Sequence, residues 1–549
     1  MTDGPTSTVP VRTRKLRIPQ SHGGCFTCKF VLSSISILYK KHTDFHFHRA
    51  RKIRCDLKRP SCQRCHKIGK PCGGYRDSVT PDESSGSEVS AISPLSMVSD
   101  ESVMGKLDCS WLIKLGCEVF HTGVLHQQGS AAMFWKVTVP QLGLTDTVAG
   151  TSMAVLGAAV NACLAPSTQG AILYSKHCGE ALRCIQGVIA EPQSCSPALI
   201  VACLLLAVSE VLMGQELSAL SHLQGTLLVL QQKQKYGNKL QCGTYEGYCL
   251  DDEIDAAGAI MDISTASYAL GIEPRLPQFA SVAPRMNASM PYKLSNEHKV
   301  LRALHSGYRF ASTYNRWKYV PNQLVPEEAF TNQFQCCTEL ALCIQDLADL
   351  AIVDDCSHDV RPYILKAQCS TCLVYLENLL DPMETGYDQY LCIFQAMVED
   401  SEFVMDNIEP AKYKYLPFSM DLGIIWPLFF TATRCRDLQL RLKALRLLEK
   451  TGREGPFDGP RFAVLAKRVI ELETGPDTTA DNDISTVVAE QARLHTIGID
   501  VEESFERNPL FMKAVFARCR DIGKLLDTDC ADEFKEPVHW EIWNELHTQ

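Results

Sequence analysis

Three features are scarce in this chain of 549 residues: long apolar runs, alternating strand-like stretches and catalytic motifs. The start, MTDGPTSTVP, holds no apolar core for a secretory signal, so we expect the chain to stay inside the cell. The most apolar run, Ala198 to Val208, is shorter than the roughly 20 residues that cross a bilayer, which predicts a buried helix and no membrane partner. Walker-type GxxxxGK[ST] and HExxH sequences are both missing, and we expect no enzyme activity.

Charge is distributed unevenly along the chain, whose formal net charge is -10. Residues 1–76 hold 17 Lys and Arg against three Asp, a net charge of +14, which leaves -24 for the remainder. A basic head on an acidic body indicates a head that binds a polyanion. A basic run alone is a weak signal for nucleic acid, and the cysteines strengthen it.

Cysteine is abundant, with 25 residues. Inside a cell, metal binding and reduced core thiols explain this number better than disulfides do. Cys369 and Cys372 form a lone C-x2-C pair on an apolar helical stretch, and we interpret them as buried core thiols. Only six cysteines have informative spacing: Cys25, Cys28, Cys55, Cys62, Cys65 and Cys72.

The chain divides into four regions by composition. Residues 1–22 are polar and predicted to be disordered, and residues 23–76 contain the cysteine cluster. Residues 77–107 are rich in Ser and acidic residues, which predicts a disordered linker. In residues 108–549, apolar residues recur every three or four positions, which predicts a large helical domain. The predicted fold is therefore mainly all-α, with a small amino-terminal module.

Helices are predicted where the three-to-four spacing is clearest. Their expected ends coincide with glycine or proline, at Gly214, Pro382, Gly452 and Gly475. The predicted helices are Thr145–Leu164, Ala171–Ala190, Ser196–Met213, Glu216–Gln234, Pro326–Leu350, Arg361–Leu380, Thr431–Leu448 and Pro460–Glu473.

The second half of the cysteine cluster has the spacing C-x6-C-x2-C-x6-C, and the first half opens with C-x2-C. This pattern resembles the fungal Zn(II)2Cys6 binuclear cluster, in which two zinc ions share six thiolates. Because zinc takes four ligands, six sulfurs serve two ions only if two of them bridge. The resemblance implies Cys25 and Cys62 as the bridging ligands. A module this small depends on its metal for much of its folding energy.

The resemblance also implies a role in DNA binding and a nuclear location. In this family a short basic helix after the second cysteine enters the major groove of double-stranded DNA. Lys or Arg there can donate to guanine O6 and N7, whereas the other basic residues contact phosphates. CGG-like triplets are the implied targets. The candidate DNA-binding residues are Lys29, Arg51, Lys52, Arg54, Lys58 and Arg59.

The spacing between the second and third cysteines departs from the family pattern. The family has about six residues there, but 26 separate Cys28 from Cys55. Removal of residues 30–49 leaves CKARKIRC, which restores the family spacing, and the codons for these residues are compatible with intron boundaries. We hypothesise that this segment is a retained intron. The competing interpretation is a genuine insertion, with His42, His46 or His48 as additional metal ligands.

The carboxy-terminal region resembles the fungal-specific transcription factor regulatory domain, over roughly residues 110–545. The resemblance rests on SPALIVACLLLAVSEVLMGQELSALSHLQGTLLVLQQ, FFTATRCRDLQLRLKALRLLEKTGREGPFDG, MFWKVTVPQLG, Trp540 and Trp543. It implies control of a metabolic or secondary-metabolite gene set through the transcription machinery or co-regulators, and it leaves a homodimer open. We expect two buried apolar faces to pack against each other: Leu204, Leu205, Val208, Val211 and Leu212 on one helix, and Ala219, Leu220, Leu223, Leu227 and Leu228 on the next.

Two other functions are weighed against this interpretation. The insert favours a regulatory scaffold that has lost DNA binding, such as a splice-form inhibitor acting through protein contacts. Thiol redox chemistry at Cys369 and Cys372 is a more distant alternative.

Overall fold

The computed structural model divides the chain into two compact units, Met1–Val98 and Ser99–Gln549. The predicted tail, the cysteine module and residues 77–100 of the predicted linker lie outside the described residues. The structure describes residues 101–122, 131, 133–189, 196–236, 250–268, 273–276, 292–318, 325–353, 359–408, 418–475, 488–500, 511–521 and 540–548.

The described part of the second unit is built mainly from α-helices, which confirms the predicted fold class. The first seven are α1 (Glu101–Thr122), α2 (Val139–Thr145), α3 (Thr147–Leu164), α4 (Thr168–Ile189), α5 (Pro197–Leu212), α6 (Glu216–Tyr236) and α7 (Leu250–Tyr268). The next seven are α8 (Tyr292–Tyr314), α9 (Glu327–Val353), α10 (Arg361–Glu377), α11 (Leu391–Asn407), α12 (Ile425–Arg434), α13 (Leu438–Leu448) and α14 (Gly459–Thr474).

Within the described ranges, six strands form two small sheets in the carboxy-terminal part. Strands β1 (Phe418–Ser419), β2 (Arg453–Glu454) and β3 (Phe457–Asp458) pair over two residues each. Strands β4 (Thr496–Asp500), β5 (Phe511–Cys519) and β6 (Trp540–Thr548) form an antiparallel sheet with β5 in the centre. The helical periodicity did not indicate this second sheet. Trp540 and Trp543 lie on the edge strand β6, whereas the sequence predicted a helical region here.

Most of the predicted helices are present, with ends that differ by a few residues. The prediction of one helix over Thr431–Leu448 is wrong, because α12 ends at Arg434 and α13 begins at Leu438. The Asp437 side chain caps α13 by accepting a hydrogen bond from Leu440 N at 2.8 Å, and such a cap favours a new helix start. Helix α1 begins at Glu101, inside the segment predicted as the linker.

Helices α3 and α5 lie in the centre of the amino-terminal half of the body. Residue Gly157 of α3 lets the backbone of α1 approach closely, since an added Cβ would lie 2.0 Å from Leu112 O. Among the described residues, α3 alone has the length and apolar composition of a membrane-spanning helix. Its 18-residue window is 61% buried inside the body, however, as expected for a core helix.

The predicted packing of α5 against α6 is confirmed. Leu204, Leu205 and Val208 of α5 are fully or almost fully buried, as are Leu223 and Leu227 of α6. The assignment of Leu228 to the same buried face is wrong, because this residue is 44% exposed.

Candidate functional site

All twelve predicted metal-binding and DNA-binding residues lie in residues 25–72, outside the described residues. The number and type of these cysteine ligands can be compared with what two zinc ions require. Thiolates are preferred zinc ligands, and two tetrahedral ions need eight metal–sulfur bonds. Six cysteines supply eight bonds when two of them bridge, so this donor set fits a binuclear cluster.

Most cysteines of the described residues are buried or half-buried, and they do not gather into a second metal site. Thirteen of them are free thiols. The described residues include no group of three or more His, Cys, Asp or Glu that could hold a metal ion. The interpretation of Cys369 and Cys372 as buried core thiols is confirmed, since both side chains are fully buried. Burial raises the pKa of both thiols well above the ordinary value, which disfavours the reactive thiolate.

A buried carboxylate joins three parts of the carboxy-terminal half. Glu384 follows α10 and pairs with Lys318, which follows α8, at 3.2 Å. Its second oxygen accepts a hydrogen bond from Arg434 at the end of α12. Burial alone would raise the pKa of Glu384, but the charges of Arg434 and Lys318 lower it to about 2. The group is therefore ionised at neutral pH and holds these segments together.

Residues 488–495 fasten the second sheet to the same place. The Arg493 guanidinium makes a bidentate pair with Asp388, with both N–O distances at 2.7 Å. Glu490 accepts hydrogen bonds from the backbone N–H groups of Glu384 at 3.0 Å and Thr385 at 2.8 Å. The segment that leads into β4 is thus tied to the turn between α10 and α11.

Glu473, near the end of α14, anchors a second ionic cluster. Its carboxylate pairs with Arg436 and Arg441, each at 2.8 Å, and accepts a hydrogen bond from Leu494 N at 2.8 Å. The positive charges outweigh the effect of burial, so the pKa of Glu473 is lowered. Helix α13, helix α14 and the approach to β4 therefore meet at one carboxylate.

A groove of about 390 Å³ lies between α8 and α9. No motif in the sequence indicates this groove, because its lining residues are spread over two helices. One wall is formed by α8 and the other by α9. The lining residues are His305, Ser306, Arg309, Phe310, Thr313, Tyr314, Asn332, Gln335, Cys336 and Glu339.

Hydrogen bonds from α7 hold one side of the groove in place. The buried Asp262 carboxylate lies 3.1 Å from Nε2 of His305. It also accepts hydrogen bonds from Arg275 N at 3.0 Å and Leu276 N at 2.8 Å. A single carboxylate therefore fixes both the histidine of the groove and the neighbouring segment 273–276.

Comparison with known proteins identifies the amino-terminal module. Residues 49–81 match the fungal Zn(2)-Cys(6) binuclear cluster domain, which binds two zinc ions. This stretch contains Cys55, Cys62, Cys65 and Cys72, whereas Cys25 and Cys28 precede it. Of the twelve predicted residues, those from Arg51 onward fall within the match.

A 62-residue stretch is 36% identical to Arginine metabolism regulation protein II of Saccharomyces cerevisiae. The similarity covers 11% of this chain and 5% of the length of that protein. No solved structure matches the chain. The two similarities support a fungal zinc-cluster transcription factor, and they concern a small part of the sequence.

Proposed function

We propose that this protein is a sequence-specific DNA-binding transcription factor of the fungal zinc-cluster type. The match of residues 49–81 to the binuclear cluster domain is the observation that carries the proposal. The charge distribution supports it, because the +14 of residues 1–76 suits a surface that binds the phosphate backbone. The acidic helical body then acts as a regulatory domain that contacts the transcription machinery or co-regulators in the nucleus.

The proposed metal centre uses the six cysteines Cys25, Cys28, Cys55, Cys62, Cys65 and Cys72. Two zinc ions share the six thiolates, and Cys25 and Cys62 bridge them. Structural zinc supplies folding free energy directly, so the module without metal is unfolded.

The working form of the protein lacks residues 30–49. The family match begins at Arg49 and leaves out Cys25 and Cys28 together with residues 30–48, as expected if an insert separates the first two cysteines from the other four. Without the segment, Lys29 joins Ala50 and the basic residues Arg51, Lys52 and Arg54 follow the second cysteine directly. This arrangement gives an uninterrupted recognition helix. Messenger RNA reads that uniformly retain the roughly 60 nucleotides encoding residues 30–49 would refute the proposal.

The proposed targets are duplexes with CGG-like triplets. Lys29 and its neighbours face base edges, whereas Lys58 and Arg59 contact phosphates. The name of the yeast relative refers to arginine metabolism, which favours a metabolic over a secondary-metabolite gene set among the proposed targets. A homodimer would bind two such triplets, one for each cluster.

The test compares the full chain with the chain lacking residues 30–49 on CGG-containing and scrambled duplexes, over a range of salt concentrations. We expect the shorter chain to bind the CGG duplex more tightly than the scrambled one. Binding to both should weaken with salt, as counterions are released from phosphates. Equal affinity of the shorter, zinc-loaded chain for both duplexes would contradict sequence-specific binding.

The insert favours a second candidate function. Translated as written, it separates the second and third cysteines by 26 residues and divides the recognition helix. Such a chain would be a regulatory scaffold or splice-form inhibitor that acts through protein contacts. The same experiment bears on this candidate: a scaffold that has lost DNA binding fails to bind in both forms, whereas a splice-form inhibitor binds the CGG duplex only after residues 30–49 are removed.

A further inference from the structure

The groove between α8 and α9 is formed by antiparallel helices. Lys299 of α8 pairs with Asp346 of α9, and a Cβ added at Gly307 would lie 3.6 Å from Cδ1 of Leu340. Residue numbers therefore rise along one helix as they fall along the other. The first contact places Arg309 opposite Cys336 and Glu339 opposite Ser306, and the second shifts both partners by two residues. The two charged residues are therefore offset by about one to three residues, or roughly 1.5 to 4.5 Å along the groove.

Among the described residues, no carboxylate pairs with Arg309, the positive group of the groove. Nη2 of Arg309 donates to the carbonyl oxygens of Pro274 at 3.3 Å and Leu276 at 3.2 Å. Within the described part of the chain, Nε of Arg309 is buried without a hydrogen-bond partner, and no carboxylate forms an ion pair with its guanidinium. Two neutral carbonyls orient the guanidinium without neutralising its charge, so the site can receive an anion.

The negative group of the groove, Glu339, likewise has no counter-ion in the part of the chain that the structure describes. Glu339 accepts a long hydrogen bond of 3.5 Å from Gln335 on its own helix. No Lys, Arg or His of the described ranges forms an ion pair with it. The aromatic rings of Phe310 and Tyr314 line the same groove. An oriented cation and a separate anion thus share one partly apolar cleft.

We propose that this groove binds a small zwitterion, namely a free α-amino acid. Its carboxylate pairs with Arg309, its ammonium group pairs with Glu339, and its side chain lies against Phe310 and Tyr314. Paired and partly desolvated charges give both affinity and orientation. The groove volume of about 390 Å³ is sufficient for a molecule of this size. Binding here goes beyond DNA recognition and does not depend on it.

The first experiment is calorimetric titration of the full chain with each of the twenty proteinogenic L-amino acids, at up to about 10 mM. We expect at least one to bind. Glu339→Gln should weaken binding about tenfold, because a charged hydrogen-bond partner is lost. Glu328→Gln is the matched control, an exposed carboxylate near the start of α9 that does not line the groove, and it should leave binding unchanged.

Arg309 also holds structural carbonyls, so its removal could disturb the fold. Arg309→Lys retains the charge and is therefore compared with Arg309→Gln, while Arg302→Gln serves as a control from the exposed side of α8. We expect the affinity to fall from wild type to Arg309→Lys and to be lowest for Arg309→Gln. Circular dichroism at the same protein concentration verifies that each variant is folded.

Ligand analogues that lack one charged group show which protein residue binds that group, and they do so even if one variant is poorly folded. The deaminated analogue of the best amino acid should bind more weakly and lose its sensitivity to Glu339→Gln. The decarboxylated analogue should retain that sensitivity but lose its sensitivity to Arg309→Gln. If the Glu339 effect has the same size for the amino acid and its deaminated analogue, the proposed contact is absent.

Cys336 reports where the ligand binds. It lines the groove, whereas Cys392 is exposed on α11, outside the groove. A bound amino acid should slow alkylation of Cys336, measured by peptide mass spectrometry, at least threefold and leave Cys392 unaffected. Absence of binding for all twenty amino acids, or binding without protection of Cys336, would overturn the proposal.

Discussion

The Glu384→Gln variant tests whether buried ion pairs hold the carboxy-terminal half together. Glutamine has nearly the same shape as glutamate but no charge, so Lys318 and Arg434 would lose the negative charge that they share. Removal of one member of a buried ion pair costs about 3 to 5 kcal/mol. We therefore expect a large loss in the free energy of unfolding at pH 7.

The lowered pKa of Glu384 also indicates that its negative charge stabilises the folded protein. Its ordinary value is 4.5 and its value in the folded protein is about 2. A difference of about 2.5 corresponds to about 3 kcal/mol. Since the folded-state pKa is lowered, this stabilisation is fully present above pH 4.5 and is lost as the pH falls towards 2.

The assay is urea unfolding of the full chain, followed by far-ultraviolet circular dichroism, between pH 7 and pH 2.5. The free-energy difference between wild type and Glu384→Gln should be about 3 kcal/mol above pH 5 and should shrink as the pH falls below 4.5. Glu399→Gln, on the exposed face of α11, should differ from wild type by less than about 0.5 kcal/mol. A difference that stays constant down to pH 2.5 would refute the reasoning.

Three further variants test the metal centre, DNA recognition and core packing. Cys62→Ala should lose both zinc ions, measured by metal analysis of the chain lacking residues 30–49; a variant that keeps two ions and its fold would exclude the bridging role. Lys29→Ala in that same chain should lose about 1 to 3 kcal/mol of binding to CGG duplexes, whereas equal losses on scrambled duplexes would make it a phosphate contact. Gly307→Ala should lower the free energy of unfolding by about 1 to 3 kcal/mol, because the new Cβ would lie 2.7 Å from Cys372 Sγ. Gly179→Ala, where nothing lies within 4 Å, should instead be neutral or slightly stabilising.

The helices of the body were predictable where the apolar pattern was strong. Helix α5 was placed to within a residue at each end because Ser196 and Pro197 mark its start and Gly214 follows its end. Helix α8 was missed because its sequence is polar and contains Gly307. The break between α12 and α13 also escaped notice, although Asp437 is the kind of residue that begins a helix.

The second sheet could not be predicted from local sequence. Its central strand, β5, pairs with β6, so that Phe511 lies beside Thr548 and Cys519 beside Trp540. A strand is stabilised by its neighbours, and the partners here are separated by more than 20 residues. The short apolar stretch around Phe516 fits a strand or a buried helix equally well when it is considered alone.

The two ends of the chain differ in how far apart in the sequence their interacting residues lie. The proposed zinc ligands are recognised from short C-x2-C and C-x6-C spacings, and the family that these spacings resemble implies the metal and its number. In the body, Arg493 pairs with Asp388 across 105 residues, and Lys318 reaches Glu384 from another helix. No spacing rule connects such partners, because tertiary packing brings them together. The groove that contains Arg309 and Glu339 belongs to this second kind of site, and for that reason only the folded chain reveals it.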